Sequence, residues 1–561
     1  VNSLARLSSV LLLATSLGAW AQDGADMAAT EAASSASSTA TAMHDATEPA
    51  SSRDTLLREL TQASLAQAPR VISELERVGG RELLPLFEAM LEGELHYDAD
   101  SLQLMRISKD SGGVEQATDV ITGEALGPRT SRSAEKVRIN NRLRTLLRET
   151  IARVNLMEGS DDERAAAARA MLGGISGDSL PLLREALERE DDGEVRGLLE
   201  VGIAMAEIME ASNDEARMAA VAVLSGRLEP PVRNLLARIR SDENASSELR
   251  EAAAEALDSI QSRIEFYQLL EQLFFGLSLG SVLLLAAIGL AVTFGVMGVI
   301  NMAHGEMLML GAYSTYVVQQ LMPNHIGASI IVALPVAFIV SASVGVLIQR
   351  YVIRYLTGRP LETLLATFGI SLILQQTVRT IFSPLNRRVL APEWLSGSWQ
   401  YNEVLSLTLN RIYILGFSLV VFAILLFILK KTSLGLNVRA VSQNRAMAKA
   451  MGIRTDWVDA MTFGLGSGIA GIAGVALCQL TNVGPNLGQS YIIDSFMVVV
   501  FGGVGNLFGT LIAAFTLGMG NKFLEPMTGA VLANILILVF IILFIQKRPK
   551  GLFPQKGRAA D

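Results

Sequence analysis

The 561-residue sequence has a single cysteine, Cys478, so no disulfide framework can staple it. Histidine is scarce too. Of the four, only His44 and His96 precede residue 269, too few to assemble a metal cluster in that part. There is no G-x-x-x-x-G-K-[ST] stretch, so the chain has no loop of its own to cradle nucleotide phosphates. Positive charge is also unevenly short. Before Leu269 there are 28 Lys/Arg against 45 Asp/Glu, and from Leu269 to Asp561 there are 19 against 10. The overall net charge of −8 therefore describes neither part. A nucleic-acid binder would need a basic soluble face, and the polar part here is acidic. The length exceeds the roughly 100–200 residues of one domain.

What is present falls into segments. Arg6 precedes the apolar run 7–17, and Ala19-Trp20-Ala21 follows it, the order of a secretory signal peptide over residues 1–21. The run is too short to span a hydrocarbon core of about 30 Å stably. Cleavage after Ala21 is expected, the alternative being an uncleaved anchor, and either sends the next segment outward. Residues 22–52 are rich in Ala, Ser and Thr and cannot bury enough surface to offset ordering entropy, so they are read as a disordered linker.

Residues 53–263 read as an exported, mostly helical domain. Leu56, Leu57, Leu60 and Ala63 recur at helical spacing, as do Leu84, Phe87 and Leu91. Leu102, Leu104 and Ile107 have a shorter period and predict a small β insert of a strand or two, with Ser111-Gly112-Gly113 as its turn. After Asn155 an acid near a helix start followed by Arg recurs, with Arg164, Arg196, Arg217 and Arg250 spaced by 32, 21 and 33 residues. This resembles HEAT-type repeats in part, the middle spacing being short for a helix pair; a plain helical bundle is the alternative.

From residue 264 to 546 the chain reads as a membrane domain of about eight or nine spans. They lie near 270–295, 302–321, 326–348, 362–382, 412–429, 457–480, 490–506, 508–524 and 528–545. The seventh is also compatible with a re-entrant segment. Basic residues gather in the loops 349–361 and 430–456 and in the tail 547–561, which places all three in the cytoplasm. The 383–411 loop, with Trp394 and Trp399 as interfacial anchors, then lies outside, as does Leu269. Signal peptide and loop charge thus agree on an external N-terminal domain. Polar groups interrupt the spans: Asn301, His304, Glu306, Gln375, Gln376, Gln479, Asn482, Asp494 and Asn506. Such groups are costly in a bilayer and point to an aqueous path or a buried pairing.

The 430–456 loop holds a stretch from Arg445 to Gly452 that reads as a short amphipathic helix with Ala and Met on one side and a glycine C-cap. It is either a basic helix lying on anionic lipid or a docking helix for a cytoplasmic partner. Several stretches resemble the permeases of branched-chain amino acid ABC importers. They are Gly295-Val296-Met297-Gly298-Val299-Ile300-Asn301-Met302-Ala303-His304-Gly305-Glu306, Leu365-Ala366-Thr367-Phe368-Gly369-Ile370-Ser371, the segment 439–453, Gly502-Gly503-Val504-Gly505 and Pro549-Lys550-Gly551-Leu552-Phe553. The large exported segment departs from those permeases. It and the stretch from Asn482 to Phe496 are similar to the urea-importer branch.

The resemblance implies an all-α, polytopic permease subunit in the bacterial inner membrane, with its C-terminus cytoplasmic. It implies a second homologous permease, two cytoplasmic ABC ATPases and a periplasmic substrate-binding protein as partners, and no cofactor in this chain. It implies that Arg439, Asn444, Ala446, Lys449, Ala450 and Gly452 couple to the ATPases. Urea is the expected substrate, with branched-chain amino acids or short amides as the alternative. Urea needs hydrogen-bonding groups rather than a buried charge. Asn301, His304, Glu306, Asn482, Gln489 and Asp494 are the candidate path. Two other readings are weaker. His304 and Glu306 as an intramembrane acid–base pair would sit on different helix faces, and a scaffold merely anchored in the membrane would need one span rather than nine.

Overall fold

The computed structural model describes residues 53–99, 101–109, 115–127, 134–211, 213–356 and 358–553. The expected signal peptide, the 22–52 linker, the Ser111-Gly112-Gly113 turn and the tail beyond Phe553 lie outside the described residues. The chain divides into two compact units, Val1–Gly79 with Glu92–Ile139, and Gly80–Leu91 with Asn140–Asp561.

In the first unit, α1 (Arg53–Gln62) packs on α2 (Ala68–Gly79) through the leucines that set the helical period. Helix α3 (Leu84–Glu92) lies almost wholly in the second unit. The β insert is larger than the spacing suggested. Strands β1 (Leu95–Tyr97), β2 (Leu104–Lys109), β3 (Glu115–Asp119), β4 (Ala125–Gly127) and β5 (Glu135–Lys136) form one antiparallel sheet in the order β4-β3-β2-β1-β5. Met105 and Ile107 share one face of β2, and Ile107 pairs with Ala117 across to β3. Leu102 is not a strand residue. It sits in the turn before β2 at φ 56°, so the period read through it was a turn and a strand joined.

The second unit begins with stacked helices: α4 (Asn141–Glu158), α5 (Asp161–Leu172), α6 (Leu180–Arg189), α7 (Gly193–Glu210), α8 (Asp214–Leu224), α9 (Pro230–Ser241) and α10 (Ser247–Met297). The recurring acid–Arg signal marks the starts of α5, α7, α8 and α10. Side-chain caps sit there: Asp192 accepts from the Glu194 and Val195 amides, Asn213 from Ala216 and Ser246 from Leu249. Three of the four recurring arginines bind the loop before their own helix. Arg164 donates to the Gly159 carbonyl, Arg196 to Glu190 and Arg217 to Ala211. The short 21-residue spacing has a simple cause, because α8 follows α7 with no helix between them. Arg164 also grips the buried Glu190 side chain at 2.8 Å. That bond holds the Glu190 carboxyl below its usual range, against the opposing effect of burial.

Helix α10 is 51 residues long, about 75 Å at 1.5 Å per residue. It runs through the expected 263/264 boundary without a break. No Gly or Pro occurs between Ser247 and Phe275, and Ala253, Ala256, Ile260 and Ile264 keep a buried helical stripe up to the apolar part. The boundary expected at this point therefore falls inside one continuous helix.

The remaining elements are α11 (His304–Leu321), α12 (Ile326–Tyr351), α13 (Pro360–Phe382), the hairpin β6 (Ser398–Gln400) and β7 (Ser406–Thr408), α14 (Leu409–Lys431), α15 (Ser433–Gln443), α16 (Arg445–Ala450), α17 (Thr455–Leu477), α18 (Leu487–Gly502), α19 (Leu507–Thr528) and α20 (Ala530–Lys547). A helix stands at each of the nine expected spans. Among the described residues seven are long and apolar enough to cross a membrane: α10, α12, α13, α14, α17, α19 and α20. Helix α11 carries too many polar side chains to join them, and α18 has 16 residues.

Helices α10, α11, α12, α17, α18 and α19 make the packed centre, with α10 and α17 the most buried, while α20 leaves most side chains exposed. The centre is close-packed because glycines face each other. A Cβ on Gly289 of α10 would strike the Gly466 backbone of α17, and one on Gly466 would lie 2.7 Å from the Gly289 carbonyl.

Candidate functional site

Helix α10 ends at Gly298, whose φ of 67° suits the left-handed cap. The chain then turns back alongside the helix. The His304 Nε2–H donates to the Ala286 carbonyl at 3.0 Å, eleven residues before the end of α10. Residues 298–303 are thus irregular backbone inside the bundle, with Val299, Asn301 and Ala303 buried. Non-helical backbone at this depth is tolerated where protein buries it or a cavity receives it.

Asn301, His304 and Glu306 are all buried at this break. Asn301 Oδ1 accepts from the Ala303 amide at 3.0 Å. Glu306 Oε1 accepts from Ser371 Oγ at 2.9 Å and from Gln375 Nε2 at 2.7 Å. The Met302 amide donates to Thr367 Oγ1 at 3.2 Å. The partner helix α13 therefore offers Thr363, Thr367, Ser371 and Gln375, all buried and four residues apart on one face. Sequence reasoning had Ser371 inside a motif and Gln375 as a polar interruption but did not join them. The i, i+4 polar stripe in an apolar span was the available signal. Asn301 Nδ2, His304 Nδ1 and Glu306 Oε2 are buried without a hydrogen-bond partner. Since a carbonyl only accepts, His304 carries its proton on Nε2, and its Nδ1 is an acceptor. His304 turns to α10 and Glu306 to α13, so the two are not an acid–base pair.

The other candidates lie apart. Asn482 and Gln489 are exposed on the α17–α18 connection and at the start of α18. Asp494 faces a separate cavity of about 460 Å³, shared with Asn521, Lys522, Glu525 and Asn534. The six residues thus form no single cluster. Gln376 is exposed, and Asn506 caps α19 by accepting from the Gly509 amide.

The 430–456 segment forms two helices, α15 and α16. Asn444 separates them and caps α16 by accepting from the Met447 amide at 2.9 Å. Gly452 follows α16 at φ 84°, in the cap role its position suggested. The expected side of Ala and Met forms from Ala446, Met447, Ala450 and Met451, and it faces outward. Ala448 is buried with Val438, Val441 and Val458, whereas Ala446, Met447, Lys449, Ala450 and Met451 are exposed. An ion pair of Arg445 with Asp459 fastens α16 to α17, and Arg354 meets Asp456 at 2.9 Å beside it. Arg439 instead lines a small cavity with Val292, Leu426 and Phe508. The result is a short helix anchored from below with an apolar, basic-edged outer face.

Residues 272–545 match the family described as branched-chain amino acid transport system / permease component. The chain is 30% identical over 300 residues to the high-affinity branched-chain amino acid transport system permease protein BraD of Pseudomonas aeruginosa, covering 51% of this chain and 96% of that protein. It is 31% identical over 300 residues, with the same coverage, to the permease proteins LivH of Salmonella typhimurium and of Escherichia coli K12. No solved structure matches it. The break at residues 298–303, the α13 stripe and helices α15 and α16 all fall inside the matched range, and the stacked helices α4–α9 fall before it.

Proposed function

The chain belongs to the family of branched-chain amino acid transport permeases, a transport subunit rather than an enzyme, and from that premise we propose that it forms half of the path of a urea importer. A second homologous permease supplies the other half. Two cytoplasmic ABC ATPases supply the energy, and a soluble binding protein delivers substrate on the opposite side of the bacterial inner membrane. The sequence has no phosphate-binding loop of its own, which supports that division.

One observation carries the neutral-substrate reading. The cluster at the α10–α11 break consists of amide, hydroxyl, imidazole and carboxylate groups, and Glu306 is held by a hydroxyl and an amide rather than a cation. Asn301 Nδ2 is free to donate to a carbonyl, and Glu306 Oε2 and His304 Nδ1 are free to accept from N–H groups. Urea offers that complement, four N–H bonds and one carbonyl. The carboxylate of an amino acid would find no Lys or Arg bonded into this cluster. The likeness of the 482–496 stretch to the urea branch supports the same choice. The names of BraD and LivH favour the second reading, a branched-chain amino acid substrate.

In the proposed cycle, substrate enters between the two permeases. The ATPases close against the outer face of α15 and α16, and the glycine-packed helices move as blocks between outward and inward access. The test is uptake of labelled urea by the reconstituted complex, with excess leucine or acetamide as competitor. Suppression by leucine would overturn the urea assignment and leave the permease assignment standing.

A further inference from the structure

The stacked helices α4–α9 have no part in the transport reading, yet among the described residues they are joined to the membrane helices through α10 and through a hairpin. One join is α10, a single helix that packs on α8 and α9 near its start and on α14, α17 and α19 further along. The other is the hairpin between α13 and α14. Its strands pair Ser398 with Thr408 and Gln400 with Ser406. Its tip is stiffened by Asn402 Oδ1, which accepts from the Val404 and Leu405 amides at 3.0 and 2.7 Å. A two-stranded hairpin is marginal by itself, and this one is held by the stacked helices. Val404, partly buried, packs against their apolar core. Glu403 pairs with Arg169 of α5 at 3.3 Å. The Tyr401 ring lies 6.3 Å from that of Tyr267 on α10.

Strand β7 leads directly into α14, and the first turn of α14 is fixed back on the same long helix. Arg411 donates to Ser278 Oγ at 3.3 Å, and its guanidinium stands 4.9 Å over the Phe275 ring. The helical domain, the hairpin, α14 and α10 therefore close a mechanical loop. A domain held at one point can swivel freely; a domain held by a rod and a strap cannot move without shifting the helix to which the strap is tied.

We propose that the helical domain is a lever on the mouth of the permease, with α10 as the rod and residues 398–411 as the strap, so that its position sets the position of the first turn of α14. This rests on the permease reading above. The Arg169–Glu403 pair is half exposed and contributes little energy, so it sets alignment, while Val404 supplies the grip.

The test uses the complete reconstituted importer. Val404→Asp puts a charge against the apolar core of the domain. It is expected to cut substrate-stimulated ATP hydrolysis at least fivefold, to leave basal hydrolysis within twofold, and to raise hydrogen exchange in 398–411. Val404→Ile keeps all three at wild-type values. Arg169→Glu alone weakens stimulation, and adding Glu403→Arg restores it. Wild-type stimulation and exchange in both Val404→Asp and Arg169→Glu would overturn the lever. If Val404→Asp does not assemble, the charge-exchange pair decides. Stimulation of the wild-type importer by a solute other than urea would remove the substrate assignment, and the same variants would then be read with that solute.

Discussion

Glu306 of α11 accepts a 2.7 Å hydrogen bond from Gln375 of α13, joining two helices whose residues stand 69 apart in sequence. The bond is buried, and its carboxylate also serves Ser371. Replacing Glu306 by Ala leaves a buried amide and hydroxyl without their acceptor, a cost of about 1–3 kcal/mol. Uptake is expected to fall at least tenfold, with a lower melting temperature. Glu306→Gln keeps an acceptor and should retain most of the stability while losing uptake. Equal uptake by wild type and Glu306→Ala would remove this cluster from the path.

The Gly289–Gly466 approach gives a packing prediction. Gly466→Ala sets a methyl 2.6 Å from Thr293 Cγ2 and 2.7 Å from the Gly289 carbonyl, where backbone cannot yield cheaply. Overpacking of this kind costs about 1–3 kcal/mol. The variant should melt several degrees below wild type in detergent, whereas Gly416→Ala, with open space around its Cβ, should not.

Helices α15 and α16 should report on the ATPases. Ala446→Asp with Ala450→Asp places acid on the exposed, basic-edged face without touching the buried Ala448 or the Gly452 cap. Urea-dependent ATP hydrolysis should drop at least fivefold while the permease still assembles. Undiminished hydrolysis and uptake would end the docking role.

The Arg164–Glu190 pair predicts a pH dependence. The carboxyl of Glu190 is held below its usual range by Arg164 in the folded chain. The pair therefore stabilises fully above the unfolded carboxylate value of about 4.3. That stabilisation is lost as pH falls through the lower folded value. Melting of the full chain against Glu190→Gln should show its widest gap above about pH 5, and the gap should close in acid. A gap that widens in acid would contradict the assignment.

Much of the architecture was legible because it is written in local periods. Runs such as 326–348 and 528–545 announce helices by apolarity alone, and α12 and α20 stand there. Helix starts were legible at Asp192 and Ser247 because acids and caps favour the helix N-terminus. The short Arg196–Arg217 spacing was visible, but its cause, two helices without a third between them, was not. Leu102 misled because a turn residue happened to continue the strand period. In the site, Asn301, His304 and Glu306 were legible as polar residues in an apolar stretch. Their separation from Asp494 was not, because distance between spans is not encoded in either span.

The sequence by itself determined the class of molecule: a chain of apolar helices with basic loops, preceded by an acidic helical segment. Hydrophobic period and charge are properties of neighbouring residues, so they can be read in one dimension. Only the tertiary structure decided that α10 is one rod rather than a domain end and a span, because helix continuity through 263/264 depends on the stripe it buries against α8 and α9. Only the fold decided that Glu306 belongs to Ser371 and Gln375, and that Glu403 belongs to Arg169. Those bonds join residues 65 to 234 positions apart, brought together by the burial of apolar faces that say nothing about partners.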